Sequence, residues 1–201
     1  MTLTKFNILQ NSKRRLNLND YLVALSIVFL SISSFQIQDE TSFKKEKSLE
    51  SFKQMLTVIK HPRCMNCHPS DDHPRQGDDR HVHLFNVKRG NDNEGLAAMR
   101  CNTCHQKTNN PYSNVPGAPK WHLAPIGMAW QGLSDSQIGE SILNEKTNGG
   151  KNLEEIVHHM TKDTLVLWAW NPGKGRALPP LNQAQFAKAV KDWADNGAVV
   201  K

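Results

Sequence analysis

Three features of the sequence predict a mostly α fold, a small domain with long loops around two covalently attached groups. All four cysteines fall in two copies of one pentapeptide, Cys64-Met65-Asn66-Cys67-His68 and Cys101-Asn102-Thr103-Cys104-His105. Three capping signatures in the last third of the chain announce helices: Ser134 with Gln137, Asn152 with Glu155, and Asn182 with Gln185. Each is a capping side chain followed three positions later by Gln or Glu. Between and after the cysteine motifs, prolines and glycines interrupt every periodicity, which reads as loop.

Cys-x-x-Cys-His is the attachment motif of c-type haem. The two thiols add to the porphyrin vinyl groups, and the adjoining imidazole is held where it can ligate the iron. Shuffled residues of this composition would produce the motif roughly 0.004 times per chain, so two copies are not an accident. They predict two c-type haems, attached at Cys64, Cys67, Cys101 and Cys104, with His68 and His105 as proximal iron ligands. A zinc site, a redox dithiol or two disulfides would also use paired cysteines, but none of them needs a histidine after each pair. The stretch between Cys67 and Cys101 is also longer than the zinc-ribbon spacer of roughly 15 to 20 residues.

From the start of the chain, residues 1–34 read as a signal peptide or signal anchor. Lys5, Lys13, Arg14 and Arg15 precede an apolar run from Tyr21 to Ile32, and the small residues Ser31, Ser33 and Ser34 follow. The run is shorter than the roughly 20 residues of a spanning helix. The long basic leader leaves open its retention as a membrane anchor. Export agrees with the haem motifs, which imply attachment on the far side of a bacterial inner membrane, hence a periplasmic protein. The whole chain carries 25 basic and 19 acidic residues, a net charge of +6. The first 34 residues hold four basic and one acidic residue, so 21 against 18 remain, or +3. A balance that weak does not suggest nucleic-acid binding. Residues 35–201 are enough for one compact domain.

A helix is expected from Thr41 to Lys60, with Leu49, Phe52, Leu56 and Ile59 on one face. His61-Pro62 ends it, because the residue before proline is pushed out of the helical region. From His68 to Arg100 the chain reads as loop, and a loop this long carries function. His73, His81 and His83 lie in it. A solvated histidine is the plain reading of any one of them; a distal iron ligand is the other. Gly95 to Arg100 is expected to form a short helical turn that brings Met99 near the second haem.

A second irregular stretch, Pro111 to Gly132, contains Met128 in a proline-bearing loop. Its thioether is either a distal ligand or a filler of an irregular core gap. Three capped helices follow, with Gly149 and Gly197 placed to end the first and last. In the middle one Leu153, Ile156, Val157 and Met160 form the apolar stripe, His159 flanks it, and His158 points away. Leu165 to Trp170 is too short to assign to helix or strand. Asn171-Pro172-Gly173-Lys174-Gly175 is a turn and lacks the ending of a phosphate loop.

The ordered set His-Pro-Arg-Cys-x-x-Cys-His, Gln76-Gly77-Asp78-Asp79, Cys101-x-x-Cys-His105-Gln106, Pro116-Gly117-Ala118-Pro119, Leu123-Ala124-Pro125 and Trp168-x-Trp170 resembles small exported dihaem proteins grouped as "isoquinoline 1-oxidoreductase subunit". The similarity runs from about residue 48 to 198. The chain has no Cys-x4-Cys-x2-Cys run of the kind that holds iron-sulfur clusters in a true molybdenum hydroxylase. What the resemblance implies is a cytochrome that accepts electrons from such a dehydrogenase. His81, His83, Met99, Met128 and His159 match positions that recur in that group.

The expected function is electron transfer by a dihaem c-type cytochrome between an exported oxidoreductase and a respiratory acceptor. The candidate distal ligands are Met128 for one haem and His83 or His159 for the other. A haem enzyme with one open iron, acting on peroxide, is the alternative from another class, and a zinc-stabilised binding module is a third.

Overall fold

The computed structural model describes residues 18–201, with side chains from residue 39 onward. The basic leader lies outside the described residues, and of the apolar run only the helical backbone is described. The chain is mostly helical, with two short hairpins. Among the described residues, no helix is long and apolar enough to cross a membrane. One compact unit runs from Phe43 to Lys201 and carries every candidate site residue.

Helix α1 spans Leu18–Ile59. It ends one residue before the expected boundary but begins well before Thr41, because no glycine or proline occurs between Leu18 and His61 to stop it. Its final turns bury Phe52, Met55, Leu56, Val58 and Ile59, together with Ser48 and Ser51. The short α2, Pro62–Met65, follows directly. His61 caps it, accepting the Arg63 N–H on its ring, and Pro62 occupies the first turn, where a missing N–H costs nothing. The first cysteine motif therefore starts inside a helix.

Between the motifs, β1 (Arg75–Gln76) pairs antiparallel with β2 (His81–Val82), and β3 (Gly95–Leu96) with β4 (Met99–Arg100). The second hairpin replaces the helical turn expected at Gly95 to Arg100. Gly95 sits at φ +96, and a Cβ on it would stand 2.5 Å from the Met99 carbonyl oxygen. That backbone approach is open to glycine alone and closes a hairpin.

The three capping boxes all form. They open α3 (Asp135–Leu143), α4 (Leu153–Lys162) and α6 (Gln183–Asp195). The stretch left unassigned folds as α5 (Thr164–Leu167) and a 3-10 turn over Trp168–Trp170. Helix α6 ends as expected, with Gly197 at φ +103 just beyond it. Helix α3 stops at Leu143, well before Gly149. The side chains of Thr147 and Asn148 donate to the carbonyls of Ser141 and Ile142, so the helix end is satisfied without a glycine.

The core gathers α1, α3, α4 and α6. Phe52, Met55 and Ile59 meet Ile138 and Ile142, Ile156 and Met160, and Phe186, Val190 and Trp193. Gly139 lets α3 come close, since a Cβ there would fall 2.7 Å from the Phe52 ring. Ser48 ties the ends of the unit together. Its hydroxyl donates to the Trp193 carbonyl and accepts the Val199 N–H.

Candidate haem sites

Each cysteine motif winds into one turn. The Cys67 N–H donates to the Cys64 carbonyl at 3.1 Å, and the Cys104 N–H to that of Cys101 at 3.3 Å. Residues three apart on such a turn lie on one face, so each pair of thiols points the same way. Each motif faces its own cavity. The first, of about 390 Å³, is lined by Cys64, Cys67 and His68. The second, of about 620 Å³, is lined by Cys101, Cys104 and His105. Arg63, Cys67 and His122 line both, so the two cavities share a wall.

The two histidines are held alike. His68 Nδ1 lies 2.6 Å from the Met128 carbonyl oxygen, and His105 Nδ1 lies 2.7 Å from that of Pro116. A carbonyl oxygen only accepts, so both rings carry their proton on Nδ1 and leave Nε2 with a free lone pair. Each ring also stacks on an indole. His68 lies 3.5 Å from Trp130 at 5°, and His105 lies 4.4 Å from Trp121 at 4°. Burial pushes the His68 ring down to about 3 and lowers His105 as well, so both imidazoles are neutral. Burial also raises the Cys64 and Cys67 thiols, to about 12 and about 11.

The loops that looked irregular in the sequence build these supports. Ala124 donates its N–H to the Cys67 carbonyl, and Trp130 donates its own to the His68 carbonyl. With the Met128 carbonyl on the ring, residues 124–130 wrap the first motif from behind. At the second motif, Gly117 follows the supporting carbonyl of Pro116. A Cβ there would stand 2.3 Å from the Thr108 carbonyl oxygen and 2.4 Å from that of Gln106. Asn109 Oδ1 accepts both the Gly117 N–H and the Trp168 indole N–H, tying this loop to the turn after α5.

The candidate distal residues divide between the cavities. His83 and Met99 line the second; Met128 and His159 line the first. His73 and His81 line neither: His73 bonds Asn86, and His81 bonds Asp79 on the surface. The His83 ring stands 6.0 Å from the His105 ring at 72°. Two metal–imidazole bonds of about 2 Å plus two ring radii of about 1.1 Å would separate the rings by roughly 6.2 Å. His83 Nδ1 is bonded to the Leu84 carbonyl at 2.7 Å, which leaves its Nε2 free as well. Phe85, beside it, sits at φ +64, a left-handed conformation rare for a bulky residue. His159 Nδ1 lies 3.3 Å from the Asp163 carboxylate. Met128 is buried in the core, and its carbonyl stands behind the His68 ring, opposite Nε2.

A porphyrin is a flat apolar body with two acidic side chains, and both cavities offer mostly apolar surface beside a cysteine pair. Leu84, Phe85 and Met99 are 57%, 80% and 40% exposed, yet all three line the second cavity, where an apolar group would cover them. The first cavity is backed by core residues, including Ile59, Ile142, Ile156 and Phe186. Sequence reasoning missed Trp121, Trp130, His122 and Arg63. The two tryptophans sit in proline- and glycine-bearing loops where no periodicity marks a buried face, and a supporting carbonyl has no side-chain signature at all. No protein-family model matches the chain, and no curated protein and no solved structure matches it either.

Proposed function

We propose that the chain is an exported dihaem c-type cytochrome that passes electrons singly between redox proteins. One observation carries the reading: both Cys-x-x-Cys-His histidines turn a free Nε2 from a ring fixed by a backbone carbonyl and an indole. A bare zinc site would need three or four converging ligands. Among the described residues, no three of His, Cys, Asp and Glu converge in that way.

Haem supplies reversible one-electron chemistry at its iron. The chain supplies attachment, orientation and a setting for the potential. Cys64, Cys67, Cys101 and Cys104 would form the thioethers, and His68 and His105 would each ligate an iron. His83 is assigned opposite His105 on the strength of the ring separation. His159, which lines the first cavity with His68, would be the second ligand there, because the Met128 backbone is held at Nδ1 of the His68 ring, away from Nε2. With both faces filled, the irons would exchange electrons without binding a small oxidant, which favours a carrier over a peroxidase-like enzyme. The electron donor in this reading is an exported oxidoreductase, such as a molybdenum hydroxylase-type dehydrogenase, and the location is the periplasm.

Protein made in a host with a haem-ligation system should hold two haems that survive acid extraction and denaturing electrophoresis. Zinc in place of iron on elemental analysis would overturn the reading. A far-red sulfur-to-iron band that vanishes in Met128→Ala would return Met128 to the first iron in place of His159.

A further inference from the structure

The second cavity is lined by four arginines, Arg63, Arg75, Arg100 and Arg176, and by no carboxylate. Two of the four are neutralised beyond its wall. Arg75 pairs with Asp71, and Arg100 pairs with Asp92 and Glu94. The other two behave differently. Arg63 has a side chain only 2% exposed, and its Nε is buried with no hydrogen-bond partner. Its terminal nitrogen pairs with Asp78 and donates to the Gly77 carbonyl at 3.2 Å, while its guanidinium carbon lies 6.0 Å from the Trp168 ring. Arg176 is half-buried and, among the described residues, bonds neutral acceptors: the Asn114 side chain and backbone and the Pro172 carbonyl. Burial lowers Arg176 from its usual range and the charge of Arg63 lowers it further, while that of Asp78 works the other way. The cluster therefore has two guanidiniums for one carboxylate, and Asp78 is itself half exposed and also accepts the Ala177 N–H. Arg63 is thus buried against one carboxylate that also serves the Ala177 N–H, which leaves the pair of guanidiniums short of one negative charge.

We propose that Arg63 and Arg176 form a carboxylate-binding subsite that holds the propionates of the haem in the second cavity. This rests on the dihaem reading above. Guanidinium groups suit carboxylates because they offer a planar fork of donors and stay charged when buried. Because Arg63 also lines the first cavity, its charge acts on both irons. A fixed positive charge beside a haem favours the reduced form, and Asp78 opposes it.

The test is a spectroelectrochemical titration of both haems in the loaded protein. Arg176→Gln should lower the reduction equilibrium of the second haem by about tenfold, some 59 mV for one electron. Arg63→Gln should lower both haems, Arg63→Lys should restore much of the loss, and Asp78→Asn should shift the second haem upward. A merely structural role would lower thermal stability without opposite shifts from Arg and Asp variants. If Arg63→Gln does not fold, Arg176→Gln and Asp78→Asn carry the test by their opposite signs. Unchanged potentials, or shifts of one sign in both, would overturn the subsite. So would a saturable shift of the wild-type potential on adding inorganic phosphate, which would mark a site open to free anions. Absence of haem from the wild type would instead overturn the function, so the two failures are distinct.

Discussion

Pro116 and Met128 grip the two imidazoles with their carbonyl oxygens, so the residue beside each carbonyl governs where the ring stands. Gly117 is the clearest case. Its missing side chain lets the loop lie against the backbone of Gln106 and Thr108, and alanine would press a methyl into two carbonyl oxygens. Overpacking of this kind costs about 1 to 3 kcal/mol. Gly117→Ala is expected to shift the Pro116 carbonyl and loosen His105. If the dihaem proposal holds, the spectrum of the second haem should change and the protein should lose about that much stability, while the signals of the first haem stay. Changes confined to the first haem would contradict the placement of Pro116 behind His105.

The helices are set at their starts. Asn152 and Asn182 accept the N–H three residues on, and the Glu155 and Gln185 side chains reach back to the capping residue, so two backbone donors are satisfied at each end. Helix α6 reaches the site, because Phe186 is both core and wall of the first cavity. Asn182→Ala should cost about 1 kcal/mol by denaturant unfolding, with no change in either haem spectrum. A loss several times larger would mean that Asn182 does more than cap.

The two cavities stand differently in the whole molecule. The first opens onto residues of α1, α3, α4 and α6, while the second is walled mainly by the loops and hairpins between residues 74 and 123, with Trp168, Arg176 and the shared first-motif residues Arg63, Asn66 and Cys67 at its edge. Removing the first attachment with Cys64→Ala and Cys67→Ala should therefore destabilise the helical core and broaden its thermal transition in far-ultraviolet circular dichroism. Removing the second, with Cys101→Ala and Cys104→Ala, should leave that transition close to wild type and speed hydrogen exchange in residues 74–123. Equal effects of the two pairs would contradict this division of labour.

Part of this is legible in the sequence. The capping boxes at Ser134, Asn152 and Asn182 declare their helices within four residues, and Cys-x-x-Cys-His is a local spacing too, so the chemistry proposed for Cys64 and Cys101 rests on five residues each. The stripe of Phe52, Leu56 and Ile59 marks a buried face because helical period and burial coincide. The end of α3 at Leu143 and the hairpin at Gly95 were not legible, since side chains of Thr147 and Asn148 stand in for a terminal glycine and a backbone approach excludes a Cβ. Nor could spacing pair His83 with His105, put Arg63 on a wall shared by both cavities, or set Trp121 and Trp130 against the two imidazoles. The sequence by itself determined which atoms are available for the chemistry. Only tertiary structure decided what surrounds them, because the supports are backbone carbonyls and ring faces brought from distant loops, and these leave no pattern along the chain.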